Sequence, residues 1–200
     1  MLNSTSDLPN SFYNLVGGNN LKLLFNNSPS TLREAIHYGH FEKIHIGDYW
    51  PITLSGSYVN YSASSPTTNT MNKEFKLIVA AIDPYLNYGT SGKLSQGYHH
   101  IIFYANEYIP IVSYYFVNSP PAVSGKNRWM TSCIYNTLNA SDGVFYLIPS
   151  DFRTYIINMY SYFNTGSSTY TWVERGNLFL PEPEEVFSGL NYNTTGPLMN

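Results

Sequence analysis

The chain reads as an α+β domain: a mostly antiparallel sheet with a few short helices, preceded by an extended N-terminal arm. Three observations carry that expectation. Short runs rich in β-branched and aromatic residues recur along the chain, separated by Asn, Ser, Gly and Pro. Apolar residues at helical spacing are confined to brief windows. There is no internal repeat, and 200 residues suffice for one sizeable domain with an arm.

Residues 1–30 are rich in Asn, Ser, Gly and Pro, and two short apolar runs interrupt them. They form the predicted arm, which would add a strand to a neighbour or wrap it, with Phe12, Tyr13, Leu23, Leu24 and Phe25 as docking residues. Residues 31–200 form the predicted domain. Ser30-Thr31 followed by Glu34 reads as a capping box, starting a short helix over 32–38 that ends at Gly39. Alternation over 41–46 predicts a half-buried strand, Gly47-Asp48 a turn, and 49–58 a second strand. Residues 62–72 read as a loop. The apolar run 75–82 is the expected central strand, broken by Asp83-Pro84 and followed by a loop over 89–97.

A buried strand is expected over 99–105 and extended structure over 109–117, where Pro110 marks an edge or a strand start. After a loop at 119–125, Met130, Ile134 and Leu138 form one helical stripe within 129–139. Ser150 reads as the N-cap of a second helix carrying Phe152, Ile156, Met159 and Phe163. Residues 169–173 and 177–180 read as paired strands about Glu174-Arg175-Gly176. Pro181 opens a last short helix, with Glu184 and Glu185 placed early, where the dipole favours acids.

Charged residues are only 12% of the chain, against roughly 25% in typical domains, so the polar surface must come from Asn, Ser, Thr and Tyr. The chain has 22 Asn and 19 Tyr. Such surfaces give adaptable hydrogen bonds and rigid contact area, which suits binding faces and subunit interfaces. The codon habit of an AT-rich genome accounts for the same counts equally well. A net charge of −3, with Lys and Arg scattered, argues against a nucleic-acid partner. The single cysteine, Cys133, excludes an intrachain disulfide and reads as a small buried hydrophobe. Neither a secretory leader nor a membrane-spanning run is expected.

No enzyme motif emerges, and no catalytic residue, cofactor or metal is expected. His99-His100 is the obvious candidate site, but adjacent strand residues point to opposite faces and cannot easily share a metal. A third ligand would have to come from His37, His40, His45 or Asp48, at no recognisable spacing. Glu184-Glu185 with Asp48 or Asp83 could supply a carboxylate pair, although helix capping is the better reading of those glutamates. Trp50, Trp129 and Trp172 could form a glycan-stacking face, with buried packing favoured about two to one.

Four phrases occur in order: Ile46-Gly47-Asp48-Tyr49-Trp50, His99-His100-Ile101-Ile102, Trp129-Met130-Thr131-Ser132 running to Leu138-Asn139, and Leu178-Phe179-Leu180-Pro181 running to Glu184-Glu185-Val186-Phe187. Over roughly residues 31–187 they resemble a domain of unknown function found in tailed-bacteriophage capsid-associated, head-fibre and tail proteins and in bacterial surface proteins. The resemblance implies a C-type lectin-like fold. It further implies a non-enzymatic virion structural protein, a capsid decoration or head-fibre subunit assembled in the bacterial host cytoplasm. The implied partners are the major capsid protein or other virion proteins and further copies of the chain. The alternative it implies is a tail-associated module binding a receptor or host-surface glycan. Neither nucleic acid nor membrane insertion is expected.

Overall fold

The computed structural model describes residues 18–61, 65–86, 98–107, 109, 132–164 and 170–180. The elements are α1 (Leu21–Leu24), α2 (Pro29–His37), β1 (Tyr49–Asn60), β2 (Thr67–Ile82), β3 (Ile101–Ala105), α3 (Cys133–Asn139), a 3₁₀ turn (Val144–Leu147), α4 (Ser150–Arg153), β4 (Met159–Asn164) and β5 (Tyr170–Gly176). Among the described residues all strand pairs are antiparallel. One sheet has the order β1-β2-β3 with β2 central, and β4-β5 form a separate pair. This is the α+β class the sequence predicts.

The main sheet is built on alternation. Along β1, Trp50, Ile52, Leu54 and Tyr58 are buried, facing Met71, Phe75 and Val79 of β2. Between them Thr53, Ser55 and Ser57 lie opposite Glu74, Asn72 and Thr70 on an exposed, largely uncharged outer face. The β2–β3 register shifts between Val79 and Ala81, and beyond the shift the pair Ile82 and Ile101 packs against the core. A layer of short helices covers the inner face. Phe152 of α4 reaches both edge strands, its ring centroid 5.4 Å from Trp50 and 6.2 Å from Phe103. Ile134 and Leu138 of α3 and Val144, Phe145 and Leu147 of the 3₁₀ turn complete the core. Each such side chain contributes about 1.5–3 kcal/mol by leaving water.

Several elements differ from their expected form. The described residues of the predicted arm are 18–30, and they contribute to the common core. Leu21 and Phe25 are buried in the common core, and Tyr49 N–H donates to Asn19 O at 2.9 Å. There α1 is a single helical turn capped by the Asn20 side chain, not a strand. Helix α2 begins at Pro29, which suits the first helical position, and is capped by Ser28, whose Oγ accepts from Thr31 N–H at 3.2 Å. It ends as expected before Gly39, which has φ +70°.

Residues 41–46 form turns, with Ile44 N–H donating to Phe41 O, and no strand. Thr67 to Asn72, expected in a loop, are strand. The predicted helix from Ser150 stops after one turn, and Met159 onward is β4, because Met159–Asn164 finds a ladder partner in β5. That pairing also replaces the expected hairpin: β5 runs on through Glu174 and Arg175, and 177–180 form no strand. Expectations for 1–17, 87–97, 110–131 and 181–200 lie outside the described residues.

Candidate functional site

Asp83 ends β2 with φ +52°, a left-handed conformation that non-glycine residues rarely adopt and Asp tolerates better than most. The antiparallel return brings the start of β3 alongside it. Asp83 Oδ2 lies 2.6 Å from His99 Nδ1, and Oδ1 accepts the His100 backbone N–H at 2.8 Å. In return Asp83 N–H donates to His100 O at 2.9 Å. The turn after Asp83 adds a further tie: Tyr85 N–H donates to His100 Nε2 at 3.2 Å, and the Tyr85 and His100 rings stack with centroids 6.0 Å apart. With Nε2 accepting, the ring proton is on Nδ1, which donates to Tyr98 O at 3.1 Å.

The two histidines are therefore handled differently. His99 is 34% exposed and His100 13%. Burial pushes the His100 pKa below its ordinary value, against smaller opposing effects of the Tyr98 carbonyl and the Asp83 charge. The His99 ring meets Phe41 edge-on, and a Cβ on Gly39 would lie 2.7 Å from its Nε2. A carboxylate holding imidazole Nδ1–H is an arrangement used to orient a base or a metal ligand. Among the described residues, however, no three His, Cys, Asp or Glu side chains converge on one metal position. The expectation that His99 and His100 point to opposite faces misses the shared carboxylate. Both lie just before β3 rather than in it, and Asp83 ties one through its side chain and the other through its backbone.

A second aspartate organises the turn before β1. The Asp48 side chain, 3% exposed, accepts Asn19 N–H at 2.6 Å and His45 N–H at 2.8 Å. Its backbone pairs with Val79, Val79 N–H donating to Asp48 O at 2.8 Å. His45 Nδ1 approaches the same carboxylate at 3.4 Å, yet the ring is 63% exposed.

Comparison with protein-family models, with curated proteins and with solved structures gives no match to this chain.

Trp50 is 3% exposed and stacked into the core, so its ring has no face to offer a sugar; packing is its role. Trp172 is half-buried on β5, and Trp129 lies outside the described residues. Of the five docking residues, Phe12 and Tyr13 lie outside the described residues and Phe25 is in the core, whereas Leu23 is 68% and Leu24 42% exposed. Cys133 is buried as expected, and burial raises its thiol pKa.

The third and fourth phrases meet physically. Asn139 Oδ1 accepts from Asn177 N–H and Leu178 N–H, both at 2.9 Å, while its Nδ2–H donates to Leu178 O at 2.8 Å. Nearby, Tyr135 OH donates to Glu174 Oε1 at 3.1 Å, and desolvation with the Glu174 charge pushes its pKa up to about 12. What sequence reading missed was the pairing of Asp83 with the histidines. The available signal was an Asp-Pro at the end of one strand and His-His at the start of the next, positions that an antiparallel return places side by side.

Proposed function

We propose that this chain is a non-enzymatic structural module of a tailed-bacteriophage particle, a capsid decoration or head-fibre subunit with a C-type lectin-like fold. The observation that carries the reading is the presentation of Leu23 and Leu24. The α1 turn is anchored by Leu21 and Phe25 in the core, and it holds two neighbouring leucines out in solvent. Exposed apolar side chains on an anchored turn are what a docking contact requires, and both leucines belong to the predicted arm. The low-charge outer sheet face, with its Thr, Ser and Asn, fits an assembly that packs copies closely. The major capsid protein or another virion protein would be the partner.

The test is incorporation. Particles assembled with the Leu23→Asp/Leu24→Asp variant should lose the protein from purified capsids, while the free domain keeps its circular dichroism. Full incorporation of the folded variant counts against this docking surface. Tight binding of the wild-type domain to host polysaccharide with no affinity for particles counts against the whole reading.

One observation favours the second reading, glycan binding. Ser30, Arg33, Glu34, Thr154, Tyr155 and Ile157 line a groove of about 400 Å³. Tyr155 could stack on a sugar ring while Arg33 and Glu34 bond its hydroxyls. Loss of glycan-induced amide shifts in Tyr155→Ala would support this reading; a screen without a binder would end it.

A further inference from the structure

The connection between β2 and β3 is closed at its base by a cluster whose hydrogen bonds depend on one protonation state. We propose that Asp83, Tyr85, His99 and His100 form an acid-opened clasp: protonation of His100 Nε2 breaks the Tyr85 bond and releases Tyr85 from the start of β3, while Asp83 stays attached.

Tyr85 N–H can reach His100 only because Nε2 carries a lone pair. A proton taken up from water at that nitrogen turns the acceptor into a donor, so two N–H groups then face each other across 3.2 Å. Nδ1–H is already committed to Tyr98 O, so the imidazole cannot exchange tautomers without losing that bond as well. The ring is too buried to turn freely into water, and Tyr85 stacks on it. Protonation therefore forces Tyr85 and the ring apart.

The groups facing His100 among the described residues are Asp83, Tyr85, Tyr98 and His99. Asp83 Oδ1 lies 3.6 Å from His100 Nδ1 and favours the charged ring; the His99 ring, when charged, opposes it. Burial outweighs the attraction, so the neutral ring is the resident form near neutrality. Asp83 carries the remaining load. Its left-handed backbone is held by its side-chain bonds to His99 and His100 and by its N–H bond to His100 O, and these remain when the Tyr85 tie is lost. The Asp48 turn has no equivalent, because its imidazole already stands in solvent.

The experiment uses the full chain and NMR between pH 7.5 and pH 5. The His100 ring nitrogens should report a protonated Nδ1 and a bare Nε2 at the upper end. As Nε2 gains its proton, the Tyr85 amide should move in step, and its protection, corrected for intrinsic exchange, should fall by about tenfold per pH unit once opening follows that single proton. The Val79 amide, bonded to Asp48 O, serves as the control and should keep its protection. A His100→Gln variant retains an acceptor without titrating, and its Tyr85 amide should lose the pH response. A wild-type Nε2 already protonated at pH 7.5, or Tyr85 protection unchanged while His100 titrates, overturns the proposal without requiring any variant to fold.

Discussion

The aspartates at 48 and 83 do the same job by opposite means. Each ends up beside a backbone turn, accepts amide protons across it and lies close to a histidine. At Asp48 the carboxylate is buried and His45 is in water; at Asp83 the carboxylate is 17% exposed and the histidine it ties through the backbone is the more buried partner. At Asp48 the acceptor is a buried carboxylate filled by two backbone N–H groups. A buried imidazole has two protonation states, and the surrounding bonds select one of them. The difference separates a permanent fastening from a reversible one, even though both join the ends of chain segments to the same sheet.

Breaking the first fastening should have the largest effect. Asp48→Ala strips the acceptors from Asn19 and His45 N–H, and urea denaturation should show a loss of about 3 kcal/mol. Asp83→Ala removes bonds nearer solvent and should cost about 2 kcal/mol; equal losses at the two sites would erase the distinction. Gly39→Ala places a methyl 2.7 Å from His99 Nε2 at a φ of +70°, and about 1.5 kcal/mol should be lost, with amide shifts centred on residues 98–100.

His100 has a lowered pKa in the folded chain, whereas an unfolded histidine titrates near 6.5. The unfolded chain binds the extra proton first as pH falls below about 6.5, so this contribution to stability is complete above that pH and shrinks below it. Denaturation midpoints of the wild type relative to His100→Gln should follow that trend between pH 7.5 and pH 5. The smallest effect belongs to His45→Ala, which should stay within about 0.5 kcal/mol of wild type because the ring is mostly solvated.

The central strand was legible because 75–82 is nearly all apolar, although only Phe75 and Val79 within it are fully buried. Its first half was not, since between Thr67 and Asn72 only Met71 is buried; pairing with β1 makes it strand rather than its own pattern. The segment after Ser150 misled through coincidence. Phe152, Ile156, Met159 and Phe163 fall at helical spacing, yet the Tyr-rich end has a ladder partner in β5, and tertiary pairing overrides a short periodic match. At the site, the histidines stood out by type. Their shared acceptor did not, because it lies 16 residues from His99 in sequence and is reached only through the antiparallel return. Glu184 and Glu185 fall outside the described residues.

The long β1–β2 pair also sets a schedule for synthesis. Its ladder from Tyr49 to Ile78 is complete once residue 82 has left the ribosome, but the helices that cover Trp50, Ile52 and Phe75 lie between residues 133 and 153. At about 5–20 residues per second, some 4–14 seconds pass before Phe152 arrives. During that interval the nascent chain carries a greasy plate that lacks its cover from residues 133–153, guarded at one edge by Pro51, which offers a would-be strand partner no N–H. Growth at low temperature or co-production of a holdase should therefore raise soluble yield more than any change to the finished surface.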